Sequence, residues 1–140
     1  MKSTPLESHV ALLSQCIRES IFSALQDKGI TLSFFQSLVL QRIAQDSPCT
    51  SHDVVIATKK DKAQITRLIN ELIKKELVIR KKNERDKRES ILLLTEQGQH
   101  CAQLILQTRQ EISEKMTHGI SKELQQQLGE LLITMQNNLS

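Results

Sequence analysis

Aromatic side chains are nearly missing from this chain: Trp and Tyr do not occur, and Phe occurs only at Phe22, Phe34 and Phe35 in 140 residues. That scarcity argues against an aromatic-rich sheet, while the abundance of Leu, Ile, Gln and Lys favours helices, so the expected class is mostly α. Long apolar runs are also missing. None approaches the roughly 18 residues a membrane span needs, and Met1-Lys-Ser-Thr-Pro-Leu-Glu-Ser-His9 lacks the apolar centre of a secretory leader. The expectation is a cytoplasmic protein with no membrane partner. Cysteine is scarce and odd in number: Cys16, Cys49 and Cys101 are too widely spaced to form a disulfide framework and are ordinary for a reducing compartment. Four glycines supply no phosphate-cradling loop, and the scattered His9, His52, His100 and His118 form neither a Ser-His-Asp grouping nor an HExxH motif. No enzyme is expected. Cys49-x-x-His52 and His100-Cys101 each offer two metal ligands where a structural zinc site needs four, so neither a metal nor a cofactor is expected.

What is present is charge, gathered in one place. Of 19 Lys and Arg, 12 lie between Lys59 and Arg88 against five acids, so this segment carries +7 and the remainder −4 of a net +3. Basic charge concentrated in this way suits a polyanionic partner.

The order of elements follows from periodicity. Leu6, Val10, Leu13, Ile17, Ile21 and Leu25 recur at steps of three and four, predicting an amphipathic helix that stops near Gly29. A second helix is predicted from Ser33 to Gln45, burying Phe35, Leu38, Val39 and Ile43 and ended by Ser47-Pro48. Thr50-Ser-His-Asp53 reads as a capping box for a short helix to about Thr58, with Val54 and Val55 inward. Asp61-Lys-Ala-Gln64 repeats that logic before Ile65, Leu68, Ile69, Leu72 and Ile73. Two short helices with a tight polar turn between them make a helix-turn-helix.

The second of these helices leaves Lys62, Ala63, Gln64, Thr66, Arg67 and Asn70 away from its apolar stripe. Arg pairs bidentately with guanine, Gln or Asn with adenine, and an Ala or Thr methyl meets thymine, which makes these residues candidates for base reading; a solvated helix face is the competing reading. Leu77-Val-Ile-Arg80 and Ser90-Ile-Leu-Leu-Leu-Thr95 predict a hairpin whose tip, Lys81 to Glu89, holds Lys81, Lys82, Arg85, Lys87 and Arg88. Like charges add nothing to a core, so the tip, together with Arg80, reads as a wing reaching phosphates or the minor groove. Asp86 suits a positioning role, holding a neighbouring Arg by a charge-assisted hydrogen bond.

Beyond Glu96 the chain is helical again: Cys101, Leu104, Ile105, Thr108 and Ile112 form one stripe, Gly119 interrupts, and Ser121 caps a helix carrying Leu124, Leu128, Leu131, Leu132 and Met135. The organisation expected is one domain over 1–140, with a winged helix-turn-helix lobe at 31–98 and helical dimerisation segments at 5–29 and 99–140. The terminal stripes exceed what a lobe of this size uses. A homodimer resolves the surplus, and folding back onto their own lobe is the alternative.

With Asp61-Lys-Ala-Gln-Ile-Thr66-Arg67-Leu-Ile, Leu77-Val-Ile-Arg80, Asp86-x-Arg88 and Leu94-Thr95-x-x-Gly98 in order, nearly the whole chain resembles the multiple-antibiotic-resistance regulator (MarR) family of transcription factors. The resemblance implies a homodimer that places its recognition helices in successive major grooves of double-stranded DNA, at a pseudo-palindromic operator, with wing arginines in the flanking minor grooves. It assigns Gln64, Thr66 and Arg67 to bases, Lys62 to phosphate, Arg88 to the wing and Asp86 to its support. Three positions depart from the family pattern: Glu76 stands where Gly is usual, Lys87 where Arg is common, and Val54-Val55 where Leu-Ala is usual. Some members of the family sense oxidants through a first-helix cysteine, which makes Cys16 a possible redox site, although its neighbours Leu13 and Ile17 suggest a core thiol. Many bind small aromatic anions between the dimerisation helices and the DNA-binding lobe. Here such a small-molecule effector would meet a mostly aliphatic pocket, with Arg18, Arg42 and Arg109 as candidate lining. The function expected is a DNA-binding repressor. The alternative is a winged-helix adaptor that binds a protein through the acids interspersed in the basic segment, Glu84 and Asp86 among them.

Overall fold

The computed structural model describes residues 3–86 and 88–140. Its elements run α1 (Leu6–Asp27), α2 (Phe34–Asp46), β1 (Cys49–Thr50), α3 (Ser51–Thr58), α4 (Lys62–Lys74), β2 (Val78–Lys82), β3 (Ser90–Leu94), α5 (Glu96–Met116) and α6 (Lys122–Leu139). Mostly helical architecture with a small wing is therefore the fold. Among the described residues no helix is long and apolar enough to cross a membrane.

Local chemistry starts and stops these helices. Ser33 and Thr50 each form a complete capping box, with Gln36 and Asp53 as the reciprocal partners, and Asp61, Thr95 and Ser121 cap α4, α5 and α6 by accepting from the third amide beyond. Helix α1 ends in a Schellman motif: Gly29 takes φ 82°, and the Ile30 amide donates to the Leu25 carbonyl at 2.9 Å. Helix α4 ends the same way without glycine. Glu76 takes φ 63°, its amide donates to Ile73, and the Leu77 amide donates to Leu72 at 3.1 Å. The turn keeps the left-handed geometry that glycine would favour, at a cost of roughly 1–2 kcal/mol for an L side chain.

The sheet has three strands where the sequence predicts two. β3 is central, pairing antiparallel with β2 from Val78↔Leu94 to Lys82↔Ser90, and with β1 through Cys49↔Leu92 and Thr50↔Ile91. β1 thus ties the α2–α3 connection to the base of the wing.

One contiguous core joins the lobe to its flanking helices. Val39, Leu40, Ile43, Val54, Ile65, Leu68, Ile69, Leu72, Val78 and Leu92 meet Ile21 and Leu25 of α1 and Ile105 of α5. The core is therefore not confined to 31–98, because the second half of α1 and the first half of α5 complete it. The unpaired surplus is smaller than the sequence implies but distinct. Leu6, Val10 and Leu13 of α1 are exposed, and α6 buries none of its residues, leaving Leu124, Leu128, Leu131 and Ile133 in solvent and Leu132 and Met135 half-covered. In α2 the inward stripe is rotated from the expected one: Leu40 is fully buried, whereas Phe35 is exposed and lies beneath the Lys60 ammonium at 3.8 Å. That cation–π contact gives Phe35 a partner outside the core.

Candidate nucleic-acid interface

Helix α4 has two chemically opposed faces. Ile65, Leu68, Ile69 and Leu72 are at most 2% exposed, which fixes the helix rotationally on the core. The opposite side presents Lys62, Ala63, Thr66, Arg67, Asn70, Glu71 and Lys74 along one open groove. Five of the six candidates read from the sequence share that face. Gln64 stands apart, half-buried on the shoulder of the helix and outside the groove lining. Thr66 donates its hydroxyl to the Lys62 carbonyl at 2.8 Å, so its methyl and oxygen lone pairs are what remain to meet a ligand.

The wing is joined to this helix by a side-chain bond. Arg80 Nη2 donates to Asn70 Oδ1 at 2.7 Å, linking β2 to α4 across ten residues. Between α3, α4 and the wing lies a cleft of about 510 Å³ bordered by Ser51, His52, Lys62, Thr66, Arg80 and Arg88, with the acid Glu89 also on its rim. Lys62 and Thr66 belong to both the groove and the cleft, so the two form one continuous surface.

Among the described residues the remaining wing cations do not join it. Lys82 and Arg85 border a separate hollow with Pro48, Thr50, Asp53 and Glu84. Lys87 lies outside the described residues. At the tip, Asn83 Oδ1 accepts from the Arg85 amide and Asp86 Oδ1 from the Arg88 amide, both at 3.0 Å. The expected Asp86 bond thus goes to the main chain of Arg88, shaping the turn and leaving the exposed side chain to project.

Two positioning groups escaped the sequence. Glu71 Oε1 accepts from Arg67 Nη1 at 2.8 Å, and Glu71 Oε2 accepts from Gln36 Nε2 of α2 at 2.6 Å. The Gln36 bond, followed by the charge and hydrogen bond of Arg67 and then Lys75, holds the Glu71 carboxyl below the usual carboxylate range against partial desolvation. The four-residue spacing of Arg67 and Glu71 is readable in the sequence, whereas the pairing with Gln36 exists only once α2 and α4 pack. Ser51 and His52, which border the cleft, carried no signal for DNA contact: both lie in a capping segment, and His52 stood out only in the pair Cys49-x-x-His52.

The other candidate positions fall as follows. Arg42 and Arg109 border one concavity with Gln41, Gln45, Thr58, Lys60 and Leu106, more polar than the aliphatic pocket expected, and the Arg109 guanidinium donates to Gln41. Arg18 does not join them; it donates to Ser14 at 3.0 Å on α1. Cys16 is exposed rather than in the core, because it lies off the Ile17-Ile21-Leu25 stripe. Cys49 is buried, and desolvation, reinforced by Asp53 and Asp46, pushes its thiol up to about 11. Cys101 is half-buried and its thiol is also raised by desolvation. Among the described residues no three His, Cys, Asp or Glu side chains converge to hold a metal ion.

Known proteins share this fold. Residues 28–89 match the family described as MarR family. The chain is 26% identical over 110 residues to the HTH-type transcriptional regulator BilQ of Clostridium symbiosum, a match covering 79% of this chain and 75% of that protein. The crystal structure of the S. aureus MepR–DNA complex superposes with a TM-score of 0.89 at 18% identity, covering 99% of this chain and 100% of that one. A MarR family regulator from Listeria monocytogenes, complexed with 26mer DNA, superposes with a TM-score of 0.85 at 22% identity, covering 98% and 90%. These relatives are regulators rather than enzymes, and residues 28–89, the winged-helix lobe, are what this chain shares with the MarR family of transcriptional regulators.

Proposed function

We propose that this protein is a homodimeric, sequence-specific DNA-binding repressor acting in the cytoplasm on a pseudo-palindromic operator. The observation that carries the reading is the continuous surface where the polar face of α4 and the side chains of Arg80 and Arg88 border one cleft. In this reading Ala63, Thr66 and Arg67 meet base edges in the major groove, Lys62 and Lys74 meet phosphates, and Arg88 enters the minor groove. Gln64 reaches DNA from the helix shoulder. Asn70 and Arg80 act as a pair, since each holds the other. The apolar sides of α6 and of the first half of α1 support a dimer, which would set two recognition helices about 34 Å apart, one DNA turn. Arg42, Lys60 and Arg109 border the concavity best suited to a small anionic effector.

Internal partners for most acids of the basic segment favour DNA over the adaptor reading, whose motivation narrows to the exposed Glu84 of the wing. Asp61 caps α4, Asp86 turns to the Arg88 amide and Glu71 is engaged by Arg67 and Gln36, so three of the five acids in the basic segment have internal partners. Fluorescence anisotropy against a selected duplex tests the proposal. Arg67→Ala should alter sequence preference, and Arg88→Ala should weaken binding to all duplexes alike. Identical behaviour of both variants on every sequence would refute the assignment.

A further inference from the structure

Glu71 is an acid on a face otherwise suited to an anionic partner. Its two carboxylate oxygens divide their work, Oε1 accepting from Arg67 Nη1 at 2.8 Å and Oε2 from Gln36 Nε2 at 2.6 Å. Gln36 is itself fixed, because its Oε1 accepts from the Ser33 amide at 3.0 Å while its own amide donates to Ser33 Oγ at 3.1 Å. A chain of hydrogen bonds therefore runs from the first turn of α2 to the guanidinium of α4. Guanidinium geometry gives that chain a consequence. Nη1 lies on the same side as Cδ, whereas Nε–H and Nη2–H project along the other edge as a parallel fork. A bond at Nη1 leaves that fork available, and two parallel donors are what guanine O6 and N7 accept.

We infer that Glu71 and Gln36 are positioning residues that hold Arg67 with its Nε–Nη2 edge presented to one guanine in each half-site, and thereby set sequence preference through Arg67. The inference rests on the DNA-binding reading above. An unrestrained Arg turns to whatever acceptor is near, a thymine O4 or a phosphate included, and so tolerates wrong bases. A restrained one cannot, and the restraint acts against the wrong partners. Arg67 and Glu71 form the ion pair on this face, with Glu71 the less exposed partner at 34% against 61% for Arg67, consistent with the acid as the fixed end.

The test uses the full-length protein and a duplex recovered by in vitro selection, with anisotropy measured on that site and on its symmetric single-base-pair variants. Arg67→Ala locates the base pair that Arg67 reads, where discrimination should collapse. Glu71→Ala should lower discrimination at that same base pair about tenfold, within the range a bidentate contact supplies, and leave other positions unchanged. Gln36→Glu keeps the acceptor that Ser33 needs but sets a second carboxylate against Glu71, so it should reproduce the Glu71→Ala profile. Glu71→Gln keeps one acceptor oxygen but sets its NH2 against one of the two donors, Arg67 Nη1 or Gln36 Nε2, so it should recover less than half of the lost discrimination. Adding Glu71→Ala to Arg67→Ala should change nothing further at that position. Circular dichroism and thermal midpoints report that each variant is folded. Unchanged discrimination in Glu71→Ala, or the same loss with Arg67 already removed, overturns the inference while leaving the DNA-binding reading intact. Absence of any base-pair effect in Arg67→Ala overturns the base-reading role of Arg67 and the inference with it.

Discussion

Gly98→Ala should unfold the wing base more readily although it improves helix propensity. Gly98 is in the first turn of α5, and a Cβ there would lie 2.0 Å from the Leu77 carbonyl oxygen and 3.0 Å from its carbon. Relieving that contact requires a backbone shift of about 1 Å, and the backbone is held on both sides. The Leu77 carbonyl accepts from the Thr95 amide at 3.0 Å, the Leu77 amide donates to Leu72 at 3.1 Å, and Thr95 Oγ1 donates to the Glu76 carbonyl at 2.7 Å. Replacing Gly by Ala inside a helix contributes about 1 kcal/mol of propensity. Overpacking a filled site costs about 1–3 kcal/mol, and disturbing one of these backbone bonds adds about 1 kcal/mol. The balance is destabilisation by about 1–3 kcal/mol, or several degrees in thermal midpoint for a chain of this size. Urea denaturation followed by far-ultraviolet circular dichroism measures it directly. A variant as stable as the parent would refute the steric argument. Glu76→Gly, two residues beyond α4, supplies the opposite sign. Relieving φ 63° should stabilise by about 0.5–1 kcal/mol in the same assay, because the strain removed exceeds the entropy that glycine adds.

Three further expectations follow from the same geometry. Arg88→Ala should reduce the slope of log affinity against log salt by about one, and an unchanged slope would place Arg88 outside the DNA interface. Leu128→Glu and Leu131→Glu alter side chains 47% and 55% exposed, so they should leave the fold intact while converting a dimer to a monomer in sedimentation equilibrium; a dimer that persists would contradict the α6 interface. Cys49 has its thiol raised from 9.0 to about 11, so its contribution to stability is complete below pH 9 and is lost as pH rises through that window, because the unfolded chain ionises first. Cys49→Ala should therefore lose less stability than the parent between pH 9 and 11, and parallel curves would show that the burial effect is absent.

What was readable in the sequence was what short-range chemistry decides. The Asp61 and Thr50 caps, the Ile65-Leu68-Ile69-Leu72 stripe and the two wing strands each depend on neighbours within a few residues. β1 was not readable, because two residues have no period and their pairing with Leu92 and Ile91 spans more than forty positions. Helical spacing puts Phe35 on the inward stripe, yet Lys60 offers it a contact outside the core and Leu40 fills the interior instead. The site divided in the same manner. The face of α4 followed from helical spacing, but the Arg80–Asn70 bond, the Gln36–Glu71 bond and the separation of Lys82 and Arg85 from Arg88 depend on how wing, α2 and α4 come together. Cys16 fell outside the core for a related reason: the first half of α1 runs past the lobe, so apolar neighbours in sequence do not bury it.

The central claim is that the joined groove and cleft read double-stranded DNA as a symmetric pair. In vitro selection of genomic fragments by the purified protein tests it most directly. The account predicts recovery of two inverted half-sites with centres about one helical turn apart, bound at least about 10³-fold more tightly than bulk DNA. Recovery of no sequence above the bulk background, or of single asymmetric sites, would contradict it.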